Sequence, residues 1–181
     1  MPKVLYSELE DAFNFSGSEH QYWLDKQTGE VIAFDEETAR QLAAGDDLAN
    51  APEWQRGMIE GARRVLQAYG ELPGIEADEP GDSDRYVQIP GIESSEAYQD
   101  MTDFAETVAD SQLRELLAVA LDGRGAFRRF KDVLVGCLAE QERWFEFRDQ
   151  RLRERIKDWA REEGVEIDFD RGDASKMSPD E

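Results

Sequence analysis

The sequence predicts an α+β fold: a mainly helical single domain carrying a small antiparallel sheet made of an N-terminal hairpin and one further strand. Three observations carry this. Two runs of strand formers, Gln21–Leu24 and Val31–Phe34, are separated by Asp25-Lys26-Gln27-Thr28-Gly29, a turn that closes on glycine. From residue 94 to residue 163 apolar residues recur at helical rather than alternating spacing. The connections between these stretches are short, so we expect one domain over residues 1–169, with a mobile acidic loop at 71–84 and a disordered acidic tail at 170–181.

In chain order, Ser7-Glu8-Leu9-Glu10 has the spacing of a capping box, and Leu9, Ala12 and Phe13 give a short helix ending near Phe15 a face to bury. The hairpin follows, with Gly29 free to take the positive φ of a turn that ends in a bulge. Asp35 reads as the N-cap of a two-turn helix that stops at Gly45. Asn50 and Pro52 open a longer helix whose apolar stripe is Trp54, Met58, Ala62, Val65, Leu66 and Tyr69.

The stretch ELPGIEADEPGDSD (71–84) holds two prolines, two glycines and six acids, so it has little to bury. Arg85–Pro90 then supplies the third strand that a marginal two-stranded hairpin requires. Ser94 or Ser95 caps a helix lined by Tyr98, Met101, Phe104, Ala105 and Val108. Asp110 caps the next, with Leu113, Leu116, Leu117, Ala120 and Leu121 inward and Gly123 as its stop. A helix opened by Gly125 turns Phe127, Phe130, Leu134, Cys137 and Leu138 inward. The last helix runs from about Ala139 to Glu163 with Trp144, Phe145, Leu152, Ile156 and Trp159 inward, and Val165–Phe169 reads as a small strand.

The net charge is −21, and arginine outnumbers lysine sixteen to five. An acid-rich, lysine-poor surface keeps a protein hydrated at high salt, where screening shortens self-repulsion to a few ångströms. It also suits docking on a basic partner. The charge is uneven: residues 1–123 carry −19 (27 acids, 8 bases), residues 124–161 carry +4 (7 acids, 11 bases) and residues 162–181 carry −6 (8 acids, 2 bases). The bases therefore gather around GRGAFRRFKDVLVGCLAEQERWFEFRD (123–149).

No run approaches eighteen apolar residues and the first residues are acidic where a signal peptide is apolar, so we expect a cytoplasmic protein without a membrane anchor. One His and one Cys leave no Cys/His set for zinc. His20 opens a strand and Cys137 sits on an apolar face, so neither stands in a nucleophile-and-base arrangement. Gly123-Arg124-Gly125 lacks the preceding parallel strand and the further glycine of a dinucleotide fingerprint.

Two site readings remain. Arg124, Arg128, Arg129, Lys131 and Arg148, with Trp144 as a stacking surface, are the candidate ligand-binding residues of a non-enzymatic binding or adaptor domain; an anionic ligand, RNA or an acidic protein partner would suit them. The same arginines could instead pair with acids of the first half and staple helices together. The alternative function is a metal-dependent hydrolase using carboxylates such as Asp25, Glu30, Asp100 and Asp103, and a third is a structural subunit of a homo-oligomer. The residues point away from an enzyme, name no catalytic residue or metal ligand, and leave the cofactor unknown.

YWLDKQTGEVI, RYVQIP, AYQDMTDF, GRGAFRRFKDVL and RWFEFRDQRLRERIKDW, in that order, resemble the bacterial uncharacterised protein family 0158 over roughly residues 5 to 167. The resemblance implies a family and no activity, cofactor or catalytic residue. The acidic loop at 71–84 and the strongly negative charge depart from the family's pattern.

Overall fold

A computed structural model describes residues 1–17, 19–73 and 83–169. The expected loop at 71–84 lies largely, and the tail at 170–181 wholly, outside the described residues. The chain divides into two compact units, Met1–Gly91 with Ile156–Glu181, and Ile92–Arg155.

The first unit is built on the expected hairpin. Strands β2 (His20–Asp25) and β3 (Val31–Asp35) pair antiparallel with Trp23 opposite Ile32, and β4 (Tyr86–Ile89) adds to the other side of β2, with Leu24 opposite Val87. The sheet order is β3-β2-β4. A short strand β1 (Lys3–Leu5) precedes them and pairs parallel with β5 (Glu166–Asp168), Val4 opposite Ile167.

Helix α1 (Tyr6–Phe15) ends where the spacing predicts and buries Leu9, Ala12 and Phe13. It begins at Tyr6, ahead of the expected Ser7 cap, because it grows directly out of β1; Leu5 is the N-cap and makes no side-chain cap bond. Helix α2 (Glu36–Ala44) is capped as expected: the Asp35 carboxylate accepts from the Thr38 amide at 2.6 Å. Helix α3 (Glu53–Ala68) packs against β3, burying Ile59, Ala62, Val65 and Leu66 with Phe34, Leu42 and Tyr86. Trp54, expected on the same stripe, is 76% exposed in the first turn, beyond the neighbours that cover the rest of the helix. Tyr69 is half-exposed but tied in: its hydroxyl donates to the Tyr86 carbonyl (2.9 Å) and its ring meets Trp23 edge-on.

The second unit is helical. Helices α4 (Ser94–Thr107), α5 (Ser111–Leu121) and α6 (Ala126–Val135) are followed by the long α7 (Leu138–Glu163), which belongs to this unit as far as Arg155. The cap of α4 is made by Glu93, whose amide donates to the Glu96 carboxylate at 3.0 Å, rather than by Ser94 or Ser95, which lie inside the first turn. The Asp110 carboxylate accepts from the amides of Gln112 and Leu113, as expected.

Aromatic rings hold this core. Phe104 meets Phe130, Trp144 and Phe147 edge-on at 6.2, 5.3 and 5.7 Å between centroids, and Trp144 meets Phe130 at 5.0 Å. Such pairs contribute about 0.5–1.5 kcal/mol each beyond the area they bury. Met101, Leu113, Leu117, Leu121 and Leu134 complete the cluster. Leu116, Phe127, Leu138 and Phe145, expected inward, are exposed. On α5 the buried positions 113, 117, 120 and 121 define one narrow face, and at 100° per residue Leu116 lies about a quarter-turn from its centre.

Gly29 occupies the left-handed region at φ 81°, and its amide closes the turn on the Asp25 carbonyl at 2.8 Å. A Cβ there would also stand 2.3 Å from the Lys3 carbonyl oxygen, whereas at Gly123 (φ 78°) a Cβ meets nothing within 4 Å. Gly123→Ala should therefore cost only the roughly 1–2 kcal/mol of a left-handed alanine. Gly29→Ala should cost distinctly more because β1 must move. Urea denaturation of the two variants checks this, and equal losses would contradict it.

Candidate functional site

The cationic side chains sort by what they touch. In the first unit Asp25, whose side chain is completely buried, accepts from Arg85 through both oxygens (Nε at 2.9 Å, Nη2 at 2.5 Å). The same carboxylate accepts from the amides of Gln27 and Thr28 in the hairpin turn. Burial alone would raise its pKa, but the Arg85 bonds, the Gln27 amide and the Arg85 charge together hold it below the ordinary aspartate value of 3.8. Glu30 accepts both terminal nitrogens of Arg64 at 2.9 Å, and that pairing holds its pKa below 4.5 against the effect of burial. The Asp35 cap is held low by the Thr38 hydroxyl and amide.

In the second unit Asp100, also buried, accepts from Arg155 at 2.7 and 2.8 Å. Those bonds, with the charges of Asp100 and Glu96, raise the Arg155 pKa against its own burial. Arg151 donates to Asp103 at 2.7 Å and lies over the Phe147 ring. Arg143 binds Glu140 (2.5 Å) and Thr107 (3.0 Å) and covers Phe104. Each carboxylate considered for metal-dependent hydrolysis, Asp25, Glu30, Asp100 and Asp103, is thus engaged by an arginine. Among the described residues no three His, Cys, Asp or Glu side chains are arranged to hold a metal ion.

The candidate binding residues behave differently. Arg124, Arg128, Arg129 and Lys131 all face solvent on α6 and the turn before it. Residues 124–131 contain four cations and no acid. Arg124 and Lys131 make no ion pair among the described residues. Arg128 has an exposed contact with Asp132 at 3.8 Å, one turn on, and Arg129 donates to the Asp122 carbonyl at the end of α5. Arg148 contacts its neighbour Asp149 and lies 5.6 Å from the centroid of Phe145. Trp144 stands apart from the group: it is 7% exposed, locked among Phe104, Phe130 and Phe147, with no free face for stacking. The exposed aromatic rings of this region are Phe127 and Phe145, which helical periodicity assigned to the core.

His20 is exposed on β2 opposite Asp35, and Cys137 is a free, partly buried thiol against the aromatic cluster. Sequence spacing offered no signal for the bonds Asp25–Arg85, Glu30–Arg64 and Asp100–Arg155, whose partners lie 60, 34 and 55 residues apart.

The model of the Uncharacterised protein family (UPF0158) matches residues 66–177. A UPF0158 protein of Pseudomonas aeruginosa is 27% identical over 105 residues, 57% of this chain and 69% of that protein. The matched range holds RYVQIP and every later motif of the resemblance, while YWLDKQTGEVI precedes it. No solved structure matches the chain.

Asp25→Asn should lower stability by about 3–5 kcal/mol, since it leaves Arg85 beside a neutral, imperfectly bonded amide. Glu30→Gln, at a half-exposed pair, should cost under about 1 kcal/mol. Because Asp25, Glu30 and Asp35 are all depressed, the stability they contribute is fully present above the ordinary carboxylate values and is lost as pH falls through and below them. Denaturation midpoints across acid pH check both points: the wild-type midpoint should fall below about pH 4.5, and more steeply than that of Asp25→Asn.

Proposed function

The chain belongs to the Uncharacterised protein family (UPF0158), and from that premise we propose that it is a binding or adaptor domain acting through the cationic outer side of α6. The observation that carries this is the run of four solvent-facing cations without an acid in a protein with twice as many acids as bases. Where acids are in such excess, a cation within reach of the fold's own carboxylates acquires a partner, as Arg64, Arg85, Arg151 and Arg155 do. Arg124 and Lys131 remain available to an external anion. Arg128, held among the described residues by a long surface contact worth little in water, is close to that state.

The surface consists of Arg124, Arg128, Arg129, Lys131 and Arg148, with Phe127 and Phe145 as its aromatic members in place of the buried Trp144. Guanidinium groups present flat forks that match carboxylate or phosphate oxygens. The wider acid excess, on the same reading, keeps the chain solvated at high salt rather than serving recognition. No described helix is long and apolar enough to cross a membrane.

Fluorescence anisotropy with labelled RNA, nucleotides and acidic peptides tests the proposal. At least one anionic probe should bind at low salt and weaken as salt rises. The Arg124→Ala/Arg128→Ala double variant removes two surface charge contacts, about 1–2 kcal/mol together, and should weaken binding about tenfold while the melting temperature stays unchanged. Absence of binding by any probe, or binding indifferent to the double substitution, would overturn it.

A further inference from the structure

Resting on the anion-binding reading of α6, we infer that the partner of this surface is an acidic amphipathic helix of another protein. The cations do not stand alone. Helices α5 and α6 pack against each other, and large aliphatic residues are exposed on each: Leu116 (57% exposed) and Val119 (66%) on α5, Val135 (62%) on α6 and, at the start of α7, Leu138 (71%). Leu116 and Val119 are three residues apart on α5, and on α6 Arg128, Lys131 and Val135 follow one another at spacings of three and four, so one line of α6 carries cations and then an aliphatic residue.

Aliphatic side chains distinguish the partner classes. A branched aliphatic group has no π face on which a base could stack and no donor or acceptor for a base edge, and single-strand binders rely on both. The one indole of the region, Trp144, is buried, and Phe145 is already covered by the Arg148 guanidinium, which leaves Phe127 as a single half-exposed ring where single-strand binders stack successive bases. An amphipathic helix supplies what the surface lacks: an apolar stripe at i, i+3, i+4 and i+7 to cover the aliphatic residues, flanked by carboxylates that meet Arg124, Arg128 and Lys131. Net charge points the same way. At −21, the chain repels a long polyanion more strongly than a short helix with a few acids.

The test uses the full chain and three fluorescein-labelled probes: a helical peptide with Leu at i, i+3, i+4 and i+7 and Glu elsewhere, the same peptide with Ser for Leu, and a single-stranded RNA of equal charge. The Leu/Glu peptide should bind at least about tenfold tighter than the other two. Both Leu116→Ser/Val135→Ser and Arg124→Ala/Arg128→Ala should weaken it about tenfold. The aliphatic variant should leave the Ser/Glu peptide and RNA unaffected. Circular dichroism melts of these surface variants should match the wild type.

RNA bound as tightly as the Leu/Glu peptide, in an Arg124- and Arg128-dependent manner, would keep the anion-binding reading and overturn this inference. So would Leu/Glu binding that ignores Leu116 and Val135. A concentration-dependent doubling of mass in sedimentation equilibrium, abolished by Leu116→Ser/Val135→Ser, would make a second copy the occupant and overturn it as well. Failure of every probe would overturn both readings.

Discussion

Two buried carboxylates set the terms on which each unit folds. Asp25 in the first unit and Asp100 in the second are withdrawn from water, and a charge so placed is tolerated only when its oxygens are bonded. Each meets an arginine fork through both oxygens. Asp25 also gathers two amides of the hairpin turn, so one side chain fixes the turn between β2 and β3 and anchors the residue that leads into β4. Asp100 and Asp103 similarly fasten α4 to α7 through Arg155 and Arg151. Buried pairs of this kind add little net stability over a well-packed apolar substitute, but leaving one partner alone is costly, and so they select one arrangement of the elements over others.

That requirement divides the arginines. Those facing the cores are bound to a specific acid and frequently laid over an aromatic ring, as Arg143 is over Phe104 and Arg151 over Phe147. Those on the outer side of α6 have no such obligation. Both sets occur within one net-basic stretch of sequence, yet they do different work: one closes the fold, and the other leaves positive charge in water on an otherwise acidic molecule.

Much of the fold could be read locally. The hairpin, its closing glycine and the caps at Asp35 and Asp110 are encoded within four or five residues, and the structure has them where the spacing placed them. Strand β1 was not legible: three residues carry no period, and their partner strand lies about 160 positions away. Periodicity marks an apolar stripe on each helix but not how many neighbours cover it, which is why Leu116, Phe127 and Leu138 read as inward and stand outward. The site was half legible. The clustering of Arg124, Arg128, Arg129 and Lys131 is plain in the sequence, but which arginines have acids to meet depends on contacts tens of residues apart, and Trp144 shows that an aromatic beside a basic run can belong wholly to the core.

The division between closing and free arginines is tested most directly by the thermal stability of Arg155→Ala beside Arg128→Ala. Removing Arg155 takes both hydrogen bonds from the buried Asp100, leaving it the longer contact with Arg151 at 4.0 Å, and should cost about 3–5 kcal/mol. Removing Arg128 should change stability by no more than about 0.5 kcal/mol. A comparable loss for both would contradict the account, since it would place the α6 arginines among the groups that hold the fold together.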